Sequence, residues 1–278
     1  MRVRQPVLCW AVLLVLACVV HRRGGVGRIA CVTSVMVGSS VHAGSVLQSP
    51  WTVDRSFYFV SNSSALQTVR ERGWTGVLLN ASDIPFDADG GPTEMPELGW
   101  TASDVDNMRA KYVKILSHRI PELASCDVVL YMDSKVYYDP AVAYGLLSAE
   151  HECATLFRHP WRSVGNGYAE EVEDSLRAAR YARFKPALDL QLARHGLPTG
   201  RMHLGSTHVF NLRNPEARRL QDGWWRETVA YSIQDQLSQF WQVQEHSGCV
   251  RSLDAVYGEL PPPWTRVWRG LRRWWSNL

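Results

Sequence analysis

The sequence lacks the short motifs that most often identify an enzyme class. It has no glycine-rich phosphate loop, no dinucleotide fingerprint between a strand and a helix, no His-Glu-x-x-His and no Gly-x-Ser-x-Gly. It also has no internal repeat. These absences exclude the common P-loop, zincin and α/β-hydrolase patterns, so function has to be inferred from longer combinations of residues.

Excess charge of one sign and closely spaced cysteines are also missing. The formal net charge is +3, and 46% of the residues are hydrophobic. This composition is typical of a globular protein without the basic surface that nucleic acid requires, so no nucleic-acid partner is expected. Four cysteines lie beyond the N-terminal apolar run, with no Cys-x-x-Cys pair among them: Cys31, Cys126, Cys153 and Cys249. They fit either one or two disulfides or free buried thiols.

No hydrophobic run is long enough for an ordinary membrane span. The uncharged apolar residues 6–20 would cover roughly 22 Å as a helix, against a hydrocarbon core of roughly 30 Å. Residues 1–26 are therefore interpreted as a signal peptide or short signal anchor, with a bacterial lipoprotein signal ending at Cys18 as an alternative. Sequons at Asn62 and Asn80 are compatible with a lumenal domain. We expect a Golgi or other secretory-pathway membrane protein with a lumenal domain, or a secreted protein.

Hydrophobic patterning predicts strands that alternate with helices. Strands are predicted at 29–37, 56–64, 76–85, 127–132, 153–160 and 202–214. A helix is predicted from Ser103, with Asp106 completing a capping box, up to Pro121. A further helix is predicted over 169–195, and one or two helices over 215–244. The pattern indicates an α/β fold with a mainly parallel, Rossmann-like sheet flanked by helices, in a single domain over 27–260.

An apolar strand that ends in charged residues supplies the first candidate site. Residues 128–132 are continuously hydrophobic and are followed by Asp133-Ser134-Lys135. Because a bare carboxylate is costly to bury, Asp133 must reach water, a cation or a ligand. In open α/β sheets ligands lie at the carboxyl ends of strands. A simple surface turn is the alternative.

Six segments in order resemble one family. They are KILSHRIP (114–121), YMDSKVYYDP (131–140), RHPWRS (158–163), YAEEVEDSLRAARY (168–181), WWRETVAYS (224–232) and DQLSQF (235–240). Together they resemble a domain of plant mucilage-related glycosyltransferase-like and turgor-regulation proteins, similar in turn to nucleotide-sugar transferases of the GT-A fold. Two departures are Ile233-Gln234, where the family commonly has Arg before Asp-Gln, and the extra Gln239.

The resemblance implies a GT-A-like fold, a nucleotide-sugar donor, a glycan acceptor and a site for both. The donor-binding and substrate-binding residues would be Lys114, His118, Asp133, Lys135, His159, Arg162, Glu171 and Gln236. Asp133 would also be a metal ligand for Mn²⁺ or Mg²⁺, although Lys135 stands where GT-A enzymes commonly have a second acid. Asp235 is the candidate catalytic carboxylate, either a base that deprotonates the acceptor or a stabiliser of the sugar's developing charge. Its alternative role is that of a carboxylate at a helix N-terminus.

The expected function is transfer of a hexosyl or pentosyl group to a glycan or glycoconjugate. The alternatives are a hydrolase, since plant relatives have been described as ceramidases, and a carbohydrate-binding pseudoenzyme. The tail 261–278 places Trp264, Trp268 and Trp275 on one helical face beside several arginines. It is interpreted either as an interfacial membrane helix or as a helix that docks on the domain.

Overall fold

The computed structural model describes most of the chain between residues 28 and 253. The described residues are 28–38, 46, 49, 53–85, 91–133, 151–159, 162, 166–196 and 198–253. The predictions for the N-terminal segment 1–26, for Ser134 and Lys135, and for the tail 261–278 lie outside them. Among the described residues, no helix combines the length and the apolar character needed to cross a bilayer.

One seven-stranded sheet runs through this part of the chain, in the spatial order β3-β2-β1-β4-β6-β5-β7. Its strands are β1 (Ala30–Met36), β2 (Arg55–Val60), β3 (Thr75–Leu78), β4 (Val128–Met132), β5 (Ala154–Arg158), β6 (His203–Asn211) and β7 (Val250–Leu253). All pairings are parallel except those of β6, which is antiparallel to both β4 and β5. The predicted α/β fold with a mainly parallel sheet is confirmed.

Helices flank this sheet on both faces. They are α1 (Ala65–Glu71), α2 (Ala102–Ile115), α3 (Gly167–Leu176), α4 (Ala179–Ala182), α5 (Lys185–His195), α6 (Pro215–Tyr231) and α7 (Asp235–Glu245). One face buries Phe57 and Phe59 of β2 against α2 and α6, and the other buries Tyr58 against Val69 of α1. The alternation of buried side chains along β2 therefore explains why helices cover both faces.

The N-terminus of α2 differs from the prediction by two residues. The capping box is formed by Thr101 and Asp104, not by Ser103 and Asp106: the Thr101 backbone N–H donates to Asp104 Oδ2 at 2.8 Å. Asp104 also pairs with Arg183, which anchors the helix start to the segment before α5. Both pairs have the same spacing, so the sequence alone could not choose between them.

The four cysteines beyond the N-terminal run form two disulfides, Cys31–Cys126 and Cys153–Cys249. This resolves the choice between bonded and free thiols. Each cysteine lies at or just before the beginning of a parallel strand, β1, β4, β5 or β7. Both bonds therefore lie at the amino-terminal edge of the sheet, and the opposite edge, where the strands end, is left for polar groups.

Strand order also positions a crevice at that opposite edge. The chain moves outward from β1 to β2 and β3, and then crosses to β4 on the other side of β1. Neighbouring parallel strands whose connections leave in opposite directions open a crevice at their carboxyl ends, which is where open α/β sheets bind ligands. The crevice here lies between the ends of β1 and β4.

Candidate functional site

Asp133 lies directly after β4 at the edge of this crevice. Its backbone N–H donates to the Ser206 carbonyl at 2.8 Å, and its Oδ1 accepts a hydrogen bond from the Tyr131 hydroxyl at 2.8 Å. Burial, together with the Asp133 carboxylate, raises the pKa of Tyr131 well above its usual range, so the phenol stays protonated and donates. The buried Tyr131 hydroxyl thus orients the Asp133 side chain, and Asp133 itself is half-buried.

A buried ion triad lies beside Asp133. Asp235, the first residue of α7, pairs through one carboxylate oxygen with Lys111 and through the other with Lys114, both from α2. We call these three residues the Asp235 cluster. The Asp235 side chain is only 2% exposed and that of Lys114 7%. Two ammonium groups share one carboxylate, so the cluster carries one positive charge in excess.

Burial alone would raise the pKa of Asp235, but Lys111 and Lys114 outweigh it and lower that pKa to about 2. Burial lowers the pKa of Lys114, while Asp235 and, more weakly, Asp133 act in the opposite direction. Asp235 is therefore ionised at neutral pH and is a weak base. Of the two interpretations given from the sequence, the carboxylate at a helix N-terminus is observed, and the catalytic role stays a prediction.

Gly205 makes room for the Lys114 ammonium group. A Cβ at this position would lie 2.8 Å from Lys114 Nζ, closer than real Cβ contacts. Around this glycine β6 bulges away from β5, since Leu156 pairs with His208 but Arg158 already pairs with His203. The bulge at Gly205 thus admits a charged side chain.

Gln236 and Glu171 extend the site from α7 and α3. Gln236 Nε2 donates to the His203 carbonyl at 2.9 Å, which fixes the N-terminus of α7 against β6. Glu171 accepts from Arg162 at 2.9 and 2.8 Å and from Gln234 Nε2 at 2.9 Å. Burial raises the pKa of Glu171 despite the Arg162 guanidinium. Arg162 thus supplies a guanidinium that faces Glu171.

The two predicted histidines have different surroundings. His159 lies just beyond β5, and its backbone N–H donates to the Met202 carbonyl at 2.8 Å. Burial and the nearby Arg162 lower the pKa of His159 to about 4, so it is neutral at physiological pH. His118 instead faces α6, with Nδ1 2.9 Å from Gln221 Oε1 and Nε2 3.1 Å from Asp222. His118 was predicted to bind the donor or substrate together with Lys114, but its carboxylate partner is Asp222 and not Asp235.

A polar cavity of about 400 Å³ lies at the ends of β1, β2 and β3. It is lined by Gly38, Ser61, Asn62, Ser63, Leu78, Asp106 and Arg109. Gly38 N–H donates to Ser61 Oγ at 3.0 Å, and Arg109 pairs with Asp106 at 3.0 Å. We call this the donor-side cavity. This cavity was not predicted from the sequence, where the polar residues 61–64 were assigned to the strand at 56–64 and Asn62 was noted only as a sequon.

Within the described ranges, no group of three or more His, Cys, Asp or Glu side chains is arranged to hold a metal ion. Asp133 is the described carboxylate at the end of β4, and Lys135 lies outside the described residues. Mg²⁺ is commonly held by one or two carboxylates together with substrate phosphates. One carboxylate at this edge fits that kind of site, in which the substrate supplies the remaining ligands.

No protein-family model matches the chain, and no curated protein matches its sequence. Solved structures similar to it include mouse xyloside xylosyltransferase 1 in the apo form (12% identity, 81% of this chain and 86% of that chain, TM-score 0.46). Others are the mannosyltransferase Ktr4p from S. cerevisiae (7%, 81% and 68%, 0.45) and M. tuberculosis glucosyl-3-phosphoglycerate synthase (15%, 82% and 72%, 0.41). At this identity and TM-score, no activity transfers from them to this chain.

Proposed function

We propose that this protein is a GT-A-like glycosyltransferase, which moves a sugar from a nucleotide-sugar donor to a glycan or glycoconjugate acceptor. We further propose that it belongs with the plant mucilage-related and turgor-regulation family that its motifs resemble. The observation that carries the proposal is the meeting of Asp133, Lys114, Lys111 and Asp235 at the β1–β4 crevice beside a polar cavity. The ammonium groups suit a diphosphate, and the Asp133 carboxylate suits a sugar hydroxyl next to it.

The donor would span this crevice. Its nucleoside would occupy the donor-side cavity, where Ser61, Asn62 and Asp106 offer hydrogen-bond partners for a base or ribose. Its diphosphate would then face the Asp235 cluster, whose excess positive charge compensates the leaving group. Lys135 follows Asp133 in the sequence and would add a further cation.

In the reaction, the bond between the sugar C1 and the diphosphate oxygen breaks, and its electron pair leaves with the diphosphate. The acceptor oxygen forms the new bond to C1, and its proton passes to a phosphate oxygen of the leaving diphosphate. Lys111 and Lys114 stabilise the charge that develops on the leaving group. Mn²⁺ or Mg²⁺, where bound, would be held by Asp133 with the donor's phosphate oxygens and would neutralise the same charge.

Asp235 is a poor candidate for the proton acceptor, because a carboxylate with a pKa of about 2 between two ammonium groups binds protons weakly. We propose that it orients Lys111 and Lys114 toward the leaving diphosphate, since a cluster with one positive charge in excess would not stabilise positive charge on the sugar. Neither catalytic role inferred from the sequence, base or stabiliser, is therefore proposed for Asp235. The same ion pairing favours one alternative function, a carbohydrate-binding pseudoenzyme that retains a charged pocket without a base.

The proposed compartment is the secretory pathway or the exterior of the cell, with the domain tethered or released by the segment 1–26. Its support is the pair of disulfides, because such bonds persist in oxidising compartments and are rare in the cytosol.

The test is release of free nucleotide by the full-length chain from a panel of nucleotide sugars, with and without acceptors. Asp133→Asn should abolish release while leaving the melting temperature unchanged, because Asp133 lies beyond the buried strand. Asp189→Asn, in an exposed pair with Lys185, is the matched control. Tight nucleotide binding without release would establish the pseudoenzyme, and amide cleavage of a ceramide would establish the hydrolase alternative.

A further inference from the structure

Two asparagine sequons follow neighbouring strands of the sheet. Asn62-Ser63-Ser64 comes after β2, and Asn80-Ala81-Ser82 comes after β3. The triplet Asn-x-Ser, with x other than Pro, is the acceptor of N-linked glycans in secreted proteins. The proposed reaction uses Asn62 as part of the donor-side cavity and gives Asn80 no role. The surroundings of the two asparagines decide which of them suits a glycan.

Asn62 belongs to a turn that lines a cavity. Its Oδ1 accepts a hydrogen bond from the Ser64 backbone N–H at 3.0 Å, and its carbonyl accepts one from the Ala65 N–H at 3.1 Å. The side chain is therefore fixed in the turn that leads into α1. Asn62 is half-buried and lines the donor-side cavity. A glycan on its Nδ2 would begin at the cavity wall and fill the space proposed for the nucleoside.

Asn80 has the opposite surroundings. Its backbone N–H donates to Asp83 Oδ2 at 3.0 Å, and its carbonyl accepts from the Asp83 N–H at 3.2 Å, so the turn is held through the backbone of Asn80. The preceding residue, Leu79, is buried, and its N–H donates to the Val60 carbonyl at 2.8 Å. Asn80 and Ser82 are both exposed. A glycan at Asn80 would thus extend from a fixed point of the surface without displacing a core side chain.

The donor-side cavity reaches β3 only as far as the last residue of that strand. Leu78 lines the cavity, whereas Asn80, two residues further along the chain, is not among its lining residues. A glycan at Asn80 would therefore leave the proposed nucleoside site open. The two disulfides add independent support, because they fit the same oxidising, secretory environment in which sequons are modified.

We propose that Asn80 is an N-glycosylation site and that Asn62 stays unmodified. The co-substrate is a lipid-linked oligosaccharide diphosphate. The bond between C1 of its first sugar and the diphosphate oxygen breaks, and the electron pair leaves with the diphosphate. Asn80 Nδ2 forms the new bond to C1 and releases one proton to the solvent. This inference goes beyond the proposed transfer reaction, because the protein is here the substrate of another enzyme. It rests on the proposed secretory compartment.

The test begins with the full-length chain expressed in cultured eukaryotic cells. A peptide N-glycosidase removes N-linked glycans and converts each glycosylated asparagine into aspartate. Digestion should lower the apparent mass by one glycan, and peptide mapping should find aspartate at position 80 and asparagine at position 62. Aspartate at position 62, or asparagine retained at position 80 in protein from the secretory pathway, would overturn the inference.

Variants assign the mass shift to one triplet. Asn80→Gln and Ser82→Ala should each abolish the shift, and because both residues are exposed the fold should persist. Ser82→Thr is the matched control and should keep the shift, since threonine also completes the triplet. Asn62→Gln should leave the shift unchanged. A shift that survives Asn80→Gln would contradict the assignment.

Two further measurements on the same preparations separate this inference from the earlier proposals. Non-reducing gels show whether the disulfides form: with both bonds present and no glycan at Asn80, the inference alone fails. With neither bonds nor glycan, the proposed compartment fails and the Asn80 site fails with it. Nucleotide release should be equal in wild type and Asn80→Gln, because Asn80 lies outside the donor-side cavity. A glycan at Asn80 in a protein that turns over no nucleotide sugar would mean that the proposed function alone fails.

Discussion

At the scale of single residues, burial and the two neighbouring lysines act in opposite directions on the pKa of Asp235. We predict that Asp235→Asn lowers the free energy of unfolding by about 3–5 kcal/mol, because removing one member of a buried ion pair leaves uncompensated charge. Two lysines share this carboxylate, so the substitution leaves both buried ammonium groups without their counter-ion.

Urea unfolding monitored by fluorescence would measure this loss. The control is Asp189→Asn, in an exposed pair, which should change stability by no more than about 0.5 kcal/mol. Adding Lys114→Met to Asp235→Asn should recover part of the loss, because one unpaired ammonium group is removed. Equal stability of Asp235→Asn and wild type would show that the cluster is solvated.

Metal dependence is also argued from single residues. Asp133 is the one carboxylate predicted to bind metal, and in the proposed reaction the Asp235 cluster would supply cationic charge for the diphosphate. We therefore expect EDTA to reduce nucleotide release only in part, measured against an untreated sample. Complete loss that Mn²⁺ restores would show that the lysines do not replace the metal.

At the scale of elements, the reversed strand β6 carries a buried histidine. The His208 ring stacks on Tyr131 of β4 at 5.1 Å between centroids, and its Nε2 lies 2.9 Å from the Lys114 carbonyl of α2. Burial, then the Lys114 ammonium, lowers the pKa of His208 to about 3. His208 thus joins three elements in its neutral form.

This arrangement predicts a loss of stability in acid. The unfolded chain binds a proton at His208 near pH 6.5, whereas the folded chain does not until about pH 3. The stabilisation is complete above pH 6.5 and decreases as the pH falls toward 3. Between pH 7.5 and 5.5, wild type should lose about 1 kcal/mol more than His208→Gln, measured by urea unfolding. His159 titrates in both proteins and cancels in the comparison. Equal losses would contradict the prediction.

The helices and strands also show how much of the fold could be predicted from the sequence. Six strands were predicted near their observed positions because each joins β-branched or aromatic residues into an apolar run between turn residues. Two short elements, α1 and β7, were missed because seven and four residues are too few to reveal a period. The helix predicted over 169–195 divides where Ala178 adopts an extended conformation (φ −89°, ψ 122°), which no residue type there signals.

For the molecule as a whole, the two disulfides lie at the amino-terminal edge of the sheet and the candidate site lies at the other. Each bond closes a loop of about a hundred residues, with separations of 95 and 96. We predict that replacing Cys153 and Cys249 together by Ser costs about 2–5 kcal/mol. Nucleotide affinity measured well below the melting temperature should not change, because the bond lies away from the crevice.

Calorimetric melting and nucleotide titration of the same preparation would test this. The corresponding Cys31→Ser/Cys126→Ser protein serves for comparison, since that bond closes a loop of nearly equal length. A loss of affinity without loss of stability would mean that the two edges of the sheet are coupled.

Packing across the whole molecule also explains which contacts of the candidate site could not be predicted from the sequence. Asp133 was found because its strand is locally apolar, and Lys114, Asp235 and Gln236 were singled out from motifs that lie far apart in the chain. How α2, α7 and β6 pack together determines the pairing of Lys111 and Lys114 with Asp235 and the hydrogen bond from Gln236 to the His203 carbonyl. No local pattern encodes that meeting, because it arises only from packing across the sheet.

The pairing in the Asp235 cluster has an evolutionary consequence. A substitution at position 235 leaves two buried ammonium groups without their shared carboxylate, so it should be retained only when position 111 or 114 changes too. The size of the residue at position 205 depends on position 114, because a Cβ at 205 would lie 2.8 Å from the Lys114 ammonium group. Across diverged descendants of this chain, we expect these four sites to vary jointly. Their joint variation would then identify distant relatives even after the surrounding motifs have changed.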